Sequence, residues 1–339
     1  MNTASAAPPP SPARARARFR PTQEGVVFLL TGVLFLGFSW GLDGFLSTGN
    51  VITLLRSVSV LGMLALGMGL VVIGRGVDLS MVASMVVGMC WALRMASEGT
   101  MDFHLALLAG LGFVLACGLA TGIVVAFAEI PPVFTTLAMG SVIFGVGNAF
   151  FFSVDTHNAP QNLGWLRTLG YGSLLGVPLA IYAFALLALL VHGILRGTRL
   201  GRTIYAMGDN PQAARLTGFA VRPTIVAQYV ASSLIAYVVA LVIVASNEGM
   251  NTRLFYTTLV YDVLLVVVLG GIGLGGGRGG VRNVLVGTLL VGTLASGMTI
   301  MDLSNTAQNL IKSLVMLTAL VMDTLLNPRD EQTSQQGDI

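Results

Sequence analysis

The sequence predicts an all-α, polytopic membrane protein with about ten transmembrane helices and both termini in the cytoplasm. Of its 339 residues, 55% are hydrophobic and 10% are charged, and the mean hydropathy is +0.83. No water-soluble domain needs so much apolar surface. The apolar residues fall in runs of membrane-spanning length, and the arginines concentrate in alternate short loops, which predicts the orientation of the runs.

Ten apolar runs have the length of a membrane-spanning helix. A helix rises about 1.5 Å per residue, so roughly 20 apolar residues cross the hydrocarbon core. The runs lie at residues 24–42, 52–74, 79–96, 104–127, 133–152, 173–195, 223–246, 257–273, 282–300 and 307–326. Arg56 falls near the outer end of the second run, where its long side chain can reach the interface.

Polar tails lie at both ends of the chain. Residues 1–22 are rich in proline, alanine and serine and carry four arginines. Such a segment cannot bury a core, so we predict a disordered tail that is retained in the cytoplasm. Residues 327–339 predict a second, polar cytoplasmic tail. The region 23–326 is predicted to form the transmembrane domain.

The arginines predict which loops face the cytoplasm. With the N-terminus inside, the cytoplasmic side collects Arg14, Arg16, Arg18, Arg20, Arg75, Arg196, Arg199, Arg202, Arg215, Arg222, Arg278, Arg282 and Arg329. The outer loops keep Arg94, Arg167 and Arg253. Because basic loops stay in the cytoplasm, the segment 196–222 is predicted to be inside. The three tryptophans then fall near the outer interface, where this residue is enriched.

The polar segment Leu200–Val221, LGRTIYAMGDNPQAARLTGFAV, predicts a short surface helix. Asn210 can accept hydrogen bonds from free backbone N–H groups, and Pro211 suits the first helical position. Gly218 supplies the positive φ that ends such a helix. We expect the helix to expose Ala214, Arg215 and Thr217. The segment is either a connector whose arginines only fix orientation or a preformed helix that binds a partner.

Residues 74–80 read GRGVDLS and predict a break between two spans. Gly74 and Gly76 interrupt the helix, and Asp78 can cap the next one. One interpretation is a tight inner turn. The other is a broken helix that lines a polar pathway with Asp78 or Ser80, because irregular backbone at membrane depth survives only beside a cavity or under protein. Arg75 and Asp78 could form an ion pair.

Residues 270–280 read GGIGLGGGRGG, which invites comparison with a phosphate-binding loop. That interpretation fails because no Gly-Lys-Ser/Thr follows and the run lies between apolar spans. The segment instead predicts a flexible inner turn where helices cross closely. Its position beside the segment 196–222 suits a gate or a contact with a cytoplasmic partner.

Three stretches resemble one family of membrane proteins. GRTIYAMGDNPQAARLTGF at 201–219 resembles the cytoplasmic loop of permease subunits of ABC importers, in the branch of ribose, xylose, arabinose and galactoside permeases. The stretches GMGLVVIGRGVDLSMVASMVVG at 67–88 and DVLLVVVLGGIGLGGGRGGVRNVLVGTLLVG at 262–292 resemble the same branch. The resemblance covers about Asn50 to Asp323. Arg75 departs from it where a small residue is expected, and the glycine-rich stretch has an extra glycine and arginine.

The resemblance implies a transmembrane permease domain over 23–326 with a cytoplasmic coupling loop at 196–222. The residues expected to contact the ATPase are Gly201, Arg202, Asn210, Pro211, Ala213, Ala214, Arg215 and Gly218. The residues expected at the pathway or gate are Arg75, Asp78, Ser80, Gly271, Gly275 and Arg278. The expected solute is a monosaccharide or similar small polyol, imported across the bacterial inner membrane.

The resemblance also implies the partners: a cytoplasmic ABC ATPase subunit, a periplasmic substrate-binding protein, and a second permease subunit in a homodimer or heterodimer. Membrane lipid surrounds the assembly. No cofactor, metal or nucleic acid is expected, because the histidines are isolated, the cysteines Cys90 and Cys117 lie in apolar runs, and the arginines serve topology. ATP hydrolysis is expected on the separate subunit, so the chain itself is not an enzyme.

The alternative is a stand-alone secondary carrier or facilitator for a small neutral solute. An ion-coupled carrier usually keeps carboxylates within its spans. The spans here contain few ionisable residues, chiefly Asp262, which is near a span end, and Lys312. The sequence therefore favours an external energy source. A third interpretation, a membrane-embedded enzyme, lacks a plausible acid/base pair.

Overall fold

A computed structural model of the protein describes residues 23–160 and 164–326. Within these ranges the longer helices are α1 (Gln23–Gly41), α2 (Thr48–Ile73), α3 (Met81–Ser97), α4 (Phe103–Ala128), α5 (Pro132–Val146), α6 (Gly164–Tyr171), α7 (Leu179–Gly197), α8 (Arg199–Asp209), α9 (Pro211–Leu216), α10 (Val221–Asn247), α11 (Leu259–Leu269), α12 (Val281–Ile300) and α13 (Asn305–Leu326). A π-helical turn, Gly147–Phe151, continues α5, and a 3-10 helix, Thr252–Tyr256, precedes α11. The predicted tails 1–22 and 327–339 lie outside the described residues.

Across the described part of the chain, seven helices are long and apolar enough to cross a membrane: α1, α2, α4, α5 with its π-helical turn, α7, α10 and α12. The helices α3 and α11 are apolar but shorter. The predicted class, a helical protein with several membrane-length helices, is confirmed.

The structure departs from an all-helical chain at two short antiparallel ribbons. One pairs β1 (Thr156–Asn158) with β4 (Gly249–Asn251). The other pairs β2 (Ser173–Leu174) with β3 (Val177–Pro178), so the predicted helical run 173–195 is wrong over its first six residues. Leu175 and Gly176 both have positive φ, 53° and 78°. Two such residues make the tight turn that joins two strands, which hydropathy alone does not reveal.

The core of the molecule is formed by α2, α3 and α10. Every residue of α3 from Met81 to Leu93 except Trp91 is buried, and α2 is largely buried from Val58 to Ile73. Small residues bring the neighbouring helices close. A Cβ at Gly88 would overlap the Val114 side chain. Close approach of this kind is what stabilises helix pairs in lipid, where water exclusion contributes little.

The outer helices expose apolar side chains, as a lipid-facing surface does. The α1 helix exposes Phe28, Leu29 and Leu36, and α7 exposes Leu186 and Leu189. Nearly every large side chain on these faces is aliphatic or aromatic. Polar groups instead gather at the helix ends and in a few places between helices, and these places are the candidates for function.

Candidate functional site

Three segments that are far apart in the sequence meet at one end of the bundle. They are the turn between α2 and α3, the end of α8, and the glycine-rich loop 270–280. The Nε of Arg75 donates hydrogen bonds to the carbonyl oxygens of Gly208, at 2.7 Å, and Gly275, at 2.8 Å. Its Nη2 donates to the carbonyl of Asp209 at 2.8 Å. We call the contact of Arg75 with Gly208, Asp209 and Gly275 the inner junction.

Glycines allow the backbones of the inner junction to touch. The N–H of Gly277 donates to the carbonyl oxygen of Ile73 at 2.8 Å. A Cβ at Gly208 would overlap that same carbonyl oxygen. The φ of Gly277 is 72°, in the left-handed region that glycine adopts without strain. A further hydrogen bond connects α8 to the glycine-rich loop, because the hydroxyl of Tyr205 donates to the Gly279 carbonyl at 2.8 Å. Burial raises the pKa of Tyr205, so the hydroxyl keeps its proton.

Arg75 occupies a strained backbone position at the end of α2. Its φ is 68°, which costs a non-glycine residue about 1–2 kcal/mol. The N–H groups of Gly74, Arg75 and Gly76 donate back to carbonyls of the last turn of α2 and so close the helix end. The three hydrogen bonds of the guanidinium offset the strain, because bonds from a charged donor are stronger than neutral ones.

We expect Arg75→Met to loosen the inner junction, because it removes the three side-chain hydrogen bonds and keeps the strained backbone. Arg75→Gly removes the same bonds but also relieves the positive φ, so it should be more stable than Arg75→Met by about 1 kcal/mol. Thermal unfolding in detergent measures the difference, and tryptic cleavage after Arg202 and Arg215 reports loosening of the segment 196–222. Equal stability of the two variants would contradict the assigned strain.

The segment 196–222 contains the predicted short helix and one further helix. Asn210 caps α9, its Oδ1 accepting from the N–H groups of Gln212 and Ala213, both at 3.0 Å. Pro211 is the first residue of α9, and Gly218 has a φ of 83°. The preceding α8 begins at the cap Thr198, whose Oγ1 accepts from the Gly201 N–H at 3.2 Å.

The exposed face of α9 differs from the predicted one. Ala214 is 3% exposed and packs with Met207 and Val221, so its predicted exposure is wrong. The three residues belong to three consecutive helices, α8, α9 and α10, so no periodicity within one helix could have placed Ala214 inside. Arg215 and Thr217 are exposed as predicted. Leu216, which the sequence analysis did not single out, is 89% exposed.

The other predicted coupling residues have two different environments. Gly201 is buried, and a Cβ there would overlap the Leu195 carbonyl, so Gly201 permits the sharp turn from α7 into α8. Arg202 and Ala213 are exposed on the same end of the bundle.

Two residues predicted for the pathway or gate lie in the glycine-rich loop 270–280. Arg278 is exposed, and Gly271 has a φ of 95°.

A cavity of about 490 Å³ opens beside α9 and the inner junction. It lies between the ends of α4 and α10 that face α9. The side chains that give it polar character belong to Arg75, Glu129, Asn210, Gln212, Arg215 and Gln228. Its lining also includes Tyr229, whose hydroxyl donates to the Val77 carbonyl at 3.2 Å.

Asp78 lies deep in the bundle beyond this cavity. It is 1% exposed. Its Oδ1 accepts from the N–H of Ser80 at 3.1 Å and from the Ser80 hydroxyl at 2.7 Å, and its Oδ2 accepts from the Ser232 hydroxyl at 2.7 Å. Ser232 is eleven residues beyond Val221, the start of α10, which corresponds to about 16 Å along the helix axis. The segment 74–80 therefore reaches well into the bundle.

These contacts differ from the ion pair that the sequence suggested. The carboxylate of Asp78 binds two serines, whereas the guanidinium of Arg75 binds carbonyl oxygens of the inner junction. Asp78 is not the residue that immediately precedes α3, since α3 begins at Met81 and Ser80 is the residue before it, but the backbone N–H groups of Ser80 and Met81 both point to its carboxylate. Asp78 therefore closes the turn that leads into α3. A role for Asp78 and Ser80 in a pathway stays a prediction.

The structure pairs two ionisable residues that the sequence left separate. Lys312 on α13 donates to the Oδ2 of Asp262 on α11 at 2.7 Å, and their side chains are 14% and 20% exposed. The residues are fifty positions apart, so no local pattern links them. Each is a rare charge in an apolar run, and that rarity is the signal that could have suggested a pair.

Comparison with known proteins places this arrangement in context. The family described as "Branched-chain amino acid transport system / permease component" matches residues 50–320. The chain is 30% identical to the ribose import permease protein of Escherichia coli K12 over 234 residues, 66% of this chain and 69% of that protein. It is 30% identical over 213 residues to the fructose import permease protein of Bifidobacterium longum, covering 62% and 60% of the two chains. It is 32% identical over 204 residues to the galactofuranose transporter permease protein of E. coli K12, covering 59% and 58%.

Proposed function

The chain belongs to the branched-chain amino acid transport system / permease component family, and from that premise we propose that it is the transmembrane permease subunit of an ATP-binding-cassette importer for a monosaccharide or similar small polyol. Ribose, fructose and galactofuranose are the solutes in the names of three relatives. The observation that carries the proposal is α9, a helix capped at both ends that exposes Leu216 and adjoins the inner junction.

The α9 helix is the proposed contact for a separate ATPase subunit. An exposed leucine on a short helix suits a hydrophobic groove on a partner, since helices bind such grooves through their apolar side chains. Arg215 on α9 and Arg202 on α8 are exposed and add positive charge to the same segment. Asp209 is two residues before α9, so it would move with α9. Arg75, which lies at the end of α2, would follow through its hydrogen bond to the Asp209 carbonyl. ATP hydrolysis on the partner would thus move the helices around the segment 74–80.

The proposed topology has ten membrane crossings with both termini in the cytoplasm. The seven membrane-length helices account for seven crossings. The proposal assigns three more to the shorter apolar helices α3 and α11 and to α13. The arginines of the segment 196–222 and of the inner junction then lie in the cytoplasm, in agreement with the positive-inside rule. The proposed location is the bacterial inner membrane, where a second permease subunit and a periplasmic substrate-binding protein complete the importer.

The proposed solute is uncharged. Few ionisable side chains lie within the spans, and a hydroxyl-rich solute needs hydrogen-bonding groups rather than a counter-ion. The description of the family names branched-chain amino acids, so an amino acid is the rival solute. A carrier that works without an ATPase is the rival mechanism.

One reconstitution tests the solute and the mechanism together. Vesicles would contain the permease with its ATPase and, outside, its binding protein, and would be supplied with labelled D-ribose, D-fructose or L-leucine. We expect uptake of at least one of the two sugars that requires internal ATP and stops when the ATPase is omitted. Uptake of leucine alone would overturn the assigned solute. Uptake without the ATPase would overturn the importer in favour of a stand-alone carrier.

A further inference from the structure

A polar crevice lies between α11 and α13, on the edge of the bundle. Its hydrogen-bonding side chains belong to Thr258, Tyr261, Asp262, Asn309, Lys312 and Ser313, and it has a volume of about 70 Å³. The ion pair of Asp262 and Lys312 is at its centre. The hydroxyl of Thr258 lies 3.3 Å from the Oδ1 of Asn309 and connects the two helices. We call this group the α11–α13 crevice.

The crevice lies about a third to a half of the way through the bundle. Gly270, just after α11, accepts a hydrogen bond from Asn283 at 2.7 Å, so it is level with the third residue of α12. Asp262 is eight residues before Gly270, about 12 Å along the helix. That places Asp262 about 15 Å from the start of α12, a helix about 30 Å long. On α13, Lys312 is seven residues, or about 10 Å, beyond Asn305.

The crevice is open on the outside of the chain. Tyr261 is 51% exposed, and Ser313 is exposed beside it. A charged pair inside the membrane-spanning part of a bundle is costly against lipid, and such residues face a bundle interior or a water-filled cavity. Unlike the aliphatic faces of α1 and α7, this face therefore meets water or protein in the assembled transporter.

We propose that the α11–α13 crevice lies on the translocation pathway and binds the hydroxyl groups of the transported monosaccharide. This inference rests on the proposed function. Lys312 and Asn309 supply hydrogen-bond donors, and the Asp262 carboxylate supplies acceptors. The ion pair has no net charge, so it attracts neither anions nor cations and suits a neutral solute. The ring of Tyr261 offers an apolar platform to the C–H face of a sugar.

The crevice holds one edge of the sugar rather than the whole molecule. Pockets that enclose a small-molecule ligand are typically about 300–1,000 Å³, several times larger than this crevice. The rest of the solute must therefore be covered from the opposite side. In an importer with two permease subunits, the facing subunit supplies that cover, and the site is complete only in the dimer.

Thiol labelling tests whether the crevice is wet and reached by sugar. The native cysteines, Cys90 and Cys117, are buried, so they contribute little background. Ser313→Cys would place a thiol in the crevice, and Leu314→Cys is a matched control on the adjoining exposed face of α13. In the assembled importer, we expect a charged methanethiosulfonate to label Ser313→Cys at least tenfold faster than Leu314→Cys. D-ribose or D-fructose, whichever is imported, should slow the labelling of Ser313→Cys.

Equal rates for the two cysteines, or no protection by the imported sugar, would overturn the inference. The unsubstituted importer in the same vesicles separates this failure from a failure of the proposed function. If it imports neither sugar, the proposed function has failed. If it imports sugar while Ser313→Cys stays unlabelled, only the placement of the crevice on the pathway is wrong, and the crevice contacts protein or lipid instead.

Paired substitutions separate solute binding from a structural role. Lys312→Met or Asp262→Leu alone leaves a charge unpaired and should lower the membrane level. The double variant restores the level because both charges are gone, yet its uptake should stay at least tenfold below normal with a raised KM. Normal uptake in the double variant would overturn the inference. As a control, Asp155→Asn with Arg253→Gln removes an exposed ion pair in the part of the chain near β1 and β4 and should leave uptake unchanged.

Discussion

Replacing Leu216 with aspartate should abolish transport while the permease keeps its normal level in the membrane. The side chain is 89% exposed, so it contributes almost nothing to the stability of the chain alone. If α9 enters a groove on the ATPase, the substitution loses about 1.5–3 kcal/mol of apolar burial and also places a carboxylate in an apolar site. We expect uptake and solute-stimulated ATPase activity to fall at least a hundredfold.

Co-purification of the ATPase with the permease gives an independent measurement, and it should be lost in Leu216→Asp. Leu216→Met is the matched control, because it keeps an apolar side chain of similar volume and should retain uptake within about threefold. Normal coupling in Leu216→Asp would show that the partner does not cover this face of α9. The cap at Asn210 would then indicate only a connector between α8 and α10.

The parts of the site that the sequence predicted are those set by neighbouring residues. Asn210, Pro211 and Gly218 specify a capped helix through contacts within a few residues, and the structure forms that helix. The exposure of α9 was harder to predict, because it depends on which face packs against α10. Leucine is typical of a core, and only the fold reveals that the described part of the chain leaves Leu216 uncovered.

The contacts that define the inner junction depend on distant segments. Arg75 meets the Gly208 carbonyl across 133 positions and the Gly275 carbonyl across 200. A glycine-rich loop signals close approach of backbones but not the group that approaches. The pair of Asp262 and Lys312 is a similar case, because each residue alone is only an unusual charge. Membrane-span length was the more reliable signal, and it failed where the tight turn at Leu175 and Gly176 replaced helix.

The inner junction also explains how Arg75 can occupy a position where a small residue was expected. A glycine there would adopt the positive φ freely and leave the carbonyls of Gly208, Asp209 and Gly275 to other partners. Arginine costs backbone strain but connects α8 to the glycine-rich loop. If the proposed ATPase contact moves α9, that movement has a hydrogen-bonded route to the end of α2 through Arg75. This connection makes the depth of the segment 74–80 relevant to function, because its far end is the buried Asp78.

Replacing Asp78 with alanine should lower the membrane level of the permease at least tenfold. The change leaves three buried donors without an acceptor: the Ser80 N–H, the Ser80 hydroxyl and the Ser232 hydroxyl. Each buried group left unpaired costs about 1–3 kcal/mol, and a marginally stable protein does not tolerate the sum. Immunoblotting of membranes and thermal unfolding in detergent measure the loss.

Asp78→Asn should keep the level near normal, because one amide oxygen can still accept from Ser80 and the amide N–H can donate to the Ser232 hydroxyl. Ser232→Ala removes a single hydrogen bond and serves as the intermediate case, with a loss of about 1 kcal/mol. We expect uptake per permease molecule in Asp78→Asn to stay within about twofold of normal, since the two serines already occupy the carboxylate. A normal level with strongly reduced uptake would instead show that transport needs the charge of Asp78, and would place this carboxylate at the gate.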